Sequence, residues 1–200
     1  PAGYVQDFRT DTKLTWHYNN PEKAHQLTPE QRKQQAETLR QNKELTAKEQ
    51  ADKHAVAAKK ALFIWNKSTP ITDNQSHEYL IKKGIKGVYS VRLNEHQGNT
   101  SLVIPVGKDS VFSTLQFIKS DGSKTFLTGG KKSGCYSILN KMEHPRYVAI
   151  GEGFATIASV IEDESIEYRT GFMGVMALDA GNLEAVAVAM REKYPNADIF

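Results

Sequence analysis

Glu152 stands between two glycines, Gly151 and Gly153, directly after the apolar run Tyr147 to Ile150 and directly before a pattern of helix type. A carboxylate in that place lies at the carboxyl end of a parallel strand, where α/β sheets gather ligands, and the flanking glycines let backbone and ligand come close. Such a group can hold a divalent cation or act as a general base. It can equally be an acid near a helix N-terminus, favoured by the helix dipole. GEGFAT matches neither the dinucleotide fingerprint nor the P-loop, whose lysine is missing.

A second group lies in Lys119 to Gly134, KSDGSKTFLTGGKKSG. Lys124, Lys131 and Lys132 stand close to Gly129-Gly130 and Ser133-Gly134, with Phe126 among them. Lysines and exposed amides suit phosphate, and an aromatic ring suits a base. The same composition also describes a soluble hairpin with a glycine-rich turn. Asp179, in Asp179-Ala180-Gly181-Asn182, ends a second strand, where it either joins Glu152 around a ligand or caps the following helix. The six histidines are scattered without ligand spacing, and Cys135 reads as a small buried hydrophobe. No Ser-His-Asp arrangement emerges.

These residues need elements to position them. Beyond Pro145 the pattern is strand Tyr147 to Ile150, helix Phe154 to Glu162, strand Phe172 to Leu178, helix Asn182 to Lys193 and a strand from Asp198. Strands alternating with helices of that length predict a parallel sheet with right-handed crossovers. Ahead of it come strand-like runs at close spacing, Val88 to Leu93, Leu102 to Val106, Val111 to Ile118, Lys124 to Leu127 and Cys135 to Leu139, with turn signals between them. They predict an antiparallel sheet. Ser76 is placed to cap a short helix, His77 to Lys83, that stops at Gly84.

Thr28-Pro29-Glu30-Gln31 carries a capping threonine, a proline at the first helical position and a glutamine at the capping-box position. From there to Trp65 no glycine or proline intervenes, so one helix of about 35 residues is expected. Its apolar stripe is thin until Val56, Ala57, Leu62, Phe63 and Trp65, which predicts a solvated arm whose last turns dock on a core. Gly3 to Tyr18 reads as a small hairpin around Arg9 to Thr12, with Tyr4, Val5, Phe8, Leu14 and Trp16 as its apolar residues. Four regions result: 1–27 hairpin, 28–67 charged helix, 68–144 α+β, 145–200 α/β.

Two hundred residues at 39% hydrophobic suffice for one real core. A net charge of +3 permits a polyanionic partner without requiring one. One cysteine excludes an internal disulfide framework and fits a reducing compartment. No apolar run approaches the roughly 18 residues of a membrane span, so a cytoplasmic protein without membrane contact is expected. Pro1 in place of a methionine, and a close at Asp198-Ile199-Phe200 like the first half of a strand, lead us to expect a fragment of a longer polypeptide.

In this order, HEYLIKKGI, LVIPV, STLQFIKSDGSKTFLTGG, GCYSI, AIGEGFATIASV and ALDAGNLEAVAVAMREKYPNADI resemble the Toprim-containing primases of plasmids, phages and integrative elements. The resemblance covers roughly Ser76 to Phe200, with a weaker echo in GYVQDFRT and the charged helix. It implies an α+β fold: a mostly antiparallel basic subdomain, then an α/β Toprim (Rossmann-like) subdomain. It implies that Glu152 is the acid-base or metal-associated residue. A magnesium-binding Asp-x-Asp pair would lie beyond Phe200, leaving Glu152, with Asp179 as a further candidate, as the ligands here for Mg²⁺ or Mn²⁺. Lys124, and less directly Lys131 and Lys132, map to the face for template and incoming nucleotide. Lys82, Lys83 and Arg92 map to template phosphate contacts. The implied activity is RNA primer synthesis on single-stranded DNA from ribonucleoside triphosphates, with a replicative helicase or fused helicase domain as partner. Two alternatives stand beside it: a Toprim nuclease or topoisomerase, and a silent module that binds single-stranded DNA or a partner through the long helix.

Overall fold

The computed structural model of the chain describes residues 2–7, 12–17, 28–73, 76–96, 98–163 and 171–200. They fall into two compact units, Pro1–Ala47 and Lys48–Phe200.

The first unit contains an antiparallel hairpin, β1 (Ala2–Asp7) and β2 (Thr12–His17), in register from Ala2 opposite His17 to Asp7 opposite Thr12. The expected turn and Phe8 lie outside the described residues. Tyr4, Val5 and Leu14, expected to supply apolar faces, are exposed. A two-stranded ribbon has no second layer of its own to cover them.

Helix α1 (Pro29–Lys67) starts as its capping box directs. The Gln31 amide donates to Thr28 Oγ1 at 3.2 Å and the Thr28 amide to Gln31 Oε1 at 2.9 Å. Arg40 pairs with Glu37 and Glu44, the spacing that steadies an exposed helix. The face that docks includes Ala57 and Trp65 of the expected stripe and leaves out the other three. Ala57, Ala61, Ile64, Trp65 and Ser68 turn inward, three and four residues apart, whereas Val56, Leu62 and Phe63 are exposed. Small side chains on the inner face bring the helix close to its sheet.

The second unit holds two sheets. The antiparallel one has five strands in the order β3 (Thr69–Pro70), β4 (Arg92–His96), β5 (Asn99–Lys108), β6 (Val111–Lys119) and β7 (Lys124–Phe126). Val103, Leu115, Phe117 and Leu127 on one face meet Ala61, Ile64 and Trp65 of α1. Leu102, Ile104, Val106 and Ile118 on the other join the main core. The β5–β6 turn holds Asp109 and Ser110 at φ 50° and 67°, as a type I′ hairpin demands. Helix α2 (Glu78–Lys83) ends at Gly84, φ 66°, as expected. Its N-cap is His77 rather than Ser76: His77 Nδ1 accepts the Tyr79 amide at 3.3 Å.

The second sheet runs β11 (Asp198–Ile199), β9 (Tyr147–Gly151), β10 (Phe172–Met176), β8 (Ser137–Ile138). The first three are parallel and β8 is antiparallel to β10. The Cys135 to Leu139 run therefore edges this sheet rather than extending the antiparallel one; a single bridge, Gly107 to Tyr136, links it back. Helix α3 (Phe154–Glu162) packs on one face, and α4 (Leu183–Lys193), entered through a 3₁₀ turn at Ala180–Asn182, on the other. Gly174 and Gly151 let α3 close on the sheet, since a Cβ on them would reach 2.5 Å from Ile157 Cγ2 and 2.9 Å from Ile157 Cδ1. The main core runs from Ile71 and Tyr79 through Leu102 and Ile118 to Phe154, Ile157 and Met176, joining both sheets through α3.

Candidate functional site

The parallel strands stand in the order third, first, second. The connections from β9 to β10 and from β10 to β11 therefore leave on opposite faces, which puts the switch point of the sheet at the carboxyl ends of β9 and β10. Glu152 follows β9 at this rim and is exposed. Gly153 caps α3, and its carbonyl accepts the Ile157 amide at 3.1 Å. The Ala177 amide donates to the Gly151 carbonyl at 2.7 Å, tying the ends of β9 and β10 together. Two residues past Ala177, exposed Asp179 lies on the same rim, after Leu178 in the left-handed region at φ 80°. A non-glycine residue there is strained, and such strain collects at functional sites. Asp179 makes no side-chain cap bond to the 3₁₀ turn, unlike an ordinary helix cap.

The antiparallel sheet sends Lys124 to this rim. Lys124 pairs with Ile118 in the β6–β7 ladder, so it shares Ile118's face, the one turned toward α3. Its Nζ lies 3.6 Å from the point a Cβ on Gly153 would occupy. An ammonium carried by one sheet thus reaches the residue next to the Glu152 carboxylate at a strand end of the other. Phe126, two residues on and on the same face, is half-buried, with Lys132 Nζ 5.0 Å from its ring centroid.

The glycine-rich loop is built for packing. Gly130 admits the Thr114 side chain, and Gly129, at φ 81°, lies against Ala57 and the Lys53 carbonyl of α1. The Ser113 hydroxyl donates to the Lys131 carbonyl at 2.5 Å. From the other side comes Asn182, a residue whose part as an anchor residue counting had missed. Buried, it accepts the Gly134 amide at 2.7 Å and donates to the carbonyls of Cys135 and Ala177, both at 2.8 Å. A signal was present: a lone Asn directly before a helix and after a strand end is a residue type that satisfies backbone groups. One end of the lysine loop is thereby fixed to the strand rim and the other to β6 and α1.

Of the remaining basic candidates, Arg92 and Lys82 are engaged elsewhere. Arg92 lies over the Trp65 ring at 4.4 Å and donates to the Trp65 carbonyl at 2.8 Å, closing the end of α1. Lys82 donates to the Ser120 carbonyl at 3.3 Å and faces Glu78 at 3.8 Å. Lys83 is exposed on α2. Asp121 beside them is held below the usual carboxylate range by hydrogen bonds from Ser123, with Lys119 and Lys82 nearby. Among the described residues no group of three or more His, Cys, Asp or Glu side chains is gathered to hold a metal ion, and no helix is long and apolar enough to cross a membrane.

A mixed α/β chain in which a lysine of one sheet reaches the residue beside a strand-end carboxylate of the other finds its likeness, by sequence, among proteins named DNA primase. Two proteins named DNA primase TraC, both from Escherichia coli, match all of this chain, at 32% identity over 204 residues and 30% over 203. The chain spans 18% and 13% of their lengths. No family model matches. Among solved structures, the primase fragment of the bacteriophage T7 primase-helicase protein is similar at a TM-score of 0.44 and 13% identity, over 66% of this chain and 58% of that one.

Proposed function

We propose that this chain forms the catalytic core of a DNA primase, a basic antiparallel subdomain joined to a Toprim subdomain, that makes RNA primers on single-stranded DNA by nucleotidyl transfer. The observation that carries this reading is the meeting of Lys124 with the Gly151-Glu152-Gly153 turn at the strand rim. Joining two nucleotides requires a 3′ hydroxyl to lose its proton and the charge on the transferred phosphoryl group to be neutralised. Glu152 is placed to take or direct that proton. Lys124 is placed to neutralise an incoming triphosphate, and Phe126 offers a partly covered ring beside it. Glu152 and Asp179 are hard oxygen donors of the type that suits Mg²⁺ or Mn²⁺, and they would hold the ion together with an Asp-x-Asp pair carried by a longer chain. Bound there, the ion would supply charge stabilisation at the phosphoryl group. The TraC primases, alike by sequence, support the choice of primer synthesis over nuclease or topoisomerase chemistry. A helicase partner or fused helicase domain belongs to the same proposal.

The test is the product. Incubated with single-stranded DNA, ribonucleoside triphosphates and Mg²⁺, the protein carrying this chain should yield short RNA. Cleavage of the DNA strand without nucleotide incorporation would overturn the proposal in favour of a nuclease.

A further inference from the structure

Away from the strand rim, the second unit contains a groove of about 360 Å³. Its three walls are the part of α1 carrying His54, the β5–β6 hairpin with Lys108 and Phe112, and the loop with Lys131 and Ser133. Among the described residues no carboxylate lines it, although Glu49 and Asp52 precede His54 on the same helix and Asp109, next to Lys108, lines a neighbouring cavity instead. The loop wall is fixed on three sides, by Ser113, by the contact of Gly129 with Ala57, and by Asn182. The concavity is therefore formed before any ligand arrives, which spares the ordering cost of binding.

The groove also leads somewhere. Lys131 lines it, Lys132 lies over Phe126, and Phe126 stands two residues from Lys124 at the rim. We propose that this groove seats the phosphodiester backbone of a single nucleic-acid strand, with His54, Lys108 and Lys131 as its phosphate partners, and that the strand continues along the loop to Glu152. Lys108 and Lys131 bring two cations to different walls of the groove, and a strand with regularly spaced negative charge can meet both. The assignment of the strand as template rests on the primase reading; its seating in the groove does not.

The test uses the whole chain and a fluorescein-labelled oligothymidine, with binding followed by anisotropy over a range of salt. Lys108→Ala should weaken binding and flatten the plot of log affinity against log salt, by about 0.7 for each phosphate that the variant no longer neutralises, and His54→Ala, which removes a hydrogen-bonding ring, should weaken binding. Lys60→Ala, on the opposite side of α1, removes the same charge as Lys108→Ala and should do neither. Thermal melting of each variant confirms the fold. Wild-type binding that His54→Ala and Lys108→Ala leave unchanged, or that Lys60→Ala weakens equally, overturns the groove while leaving the primase reading intact. Failure of the wild type to bind the strand overturns the groove as well. Primer synthesis is measured separately.

Discussion

Asn182 accepts the Gly134 amide hydrogen at 2.7 Å, and through that bond the end of one sheet holds the loop leaving the other. The same side chain donates to the Cys135 and Ala177 carbonyls. Replacing it with alanine takes this partner from the half-buried Gly134 amide and from the buried Cys135 and Ala177 carbonyls. Asn182→Ala should cost about 3 kcal/mol, read from urea unfolding, because each abandoned buried group costs about 1 to 3 kcal/mol and water recovers part of the loss. Asn182→Asp, which keeps an acceptor and loses both donors, should also destabilise. A variant as stable as the wild type would mean that the loop is held by its other contacts.

A second tether joins α3 to the segment before β4. The Glu162 carboxylate accepts the Lys86 and Gly87 amides at 2.8 and 2.7 Å and the Tyr89 hydroxyl at 2.7 Å. Burial, with the neighbouring carboxylate, pushes the Tyr89 hydroxyl well above its ordinary value, so it stays a donor into alkaline solution. Tyr89→Phe should cost about 1 to 2 kcal/mol and Glu162→Ala about 2 to 4 kcal/mol. If the two losses simply add in the double variant, the bond between these side chains contributes nothing of its own.

His77 gives the fold a dependence on pH. Burial lowers its imidazole below the usual value, partly opposed by the Thr100 backbone and Glu78, and Nδ1 serves the helix cap as an acceptor. The folded state therefore binds this proton less readily than the unfolded state. Its contribution is complete above about pH 6.5 and is lost as pH falls through the lowered folded value. His77→Asn keeps a capping oxygen without a titrating ring, so its melting temperature should fall less than the wild type's between about pH 7 and 5. Parallel curves would assign the acid sensitivity to other groups.

Gly151 and Gly174 set how closely α3 lies on the parallel strands. Gly174→Ala drives a methyl into Ile157 and Ile161 and should cost about 1 to 3 kcal/mol. Gly151→Ala presses on Ile157 beside Glu152. It should lower activity more than its effect on stability predicts, measured as primer yield at a temperature where both proteins are folded.

Much of the second unit was legible in the residues. Helix α3 lies at Phe154–Glu162 as the apolar spacing directs, and the glycines around Glu152 mark the strand end where they stand. Length made these elements readable, since an apolar strand, a turn and two turns of helix are local patterns. The edge strand β8 was misassigned because two residues carry no periodicity, and only pairing with distant Val175 and Met176 decides its sheet. The docking face of α1 was read correctly at Ala57 and Trp65 and misread at Leu62 and Phe63, because hydrophobicity points to those two whereas close approach to the sheet selects the small Ala61. At the site, Glu152 and Lys124 were both legible as single candidates. Their meeting at Gly153 depends on the packing of two sheets against α3, which no local pattern encodes. The opposite holds for Arg92, whose charge marked it for phosphate while the structure uses it to close α1.

The measurement that bears most directly on the central claim is incorporation of labelled ribonucleotide on a single-stranded DNA template by the protein carrying this chain, wild type against Glu152→Gln. The substitution keeps the size and the exposed setting of the side chain and removes its charge. Primer yield should fall by at least about 100-fold, the scale of a lost general base, with an unchanged melting curve. Wild-type primer yield from a folded Glu152→Gln protein would contradict the account.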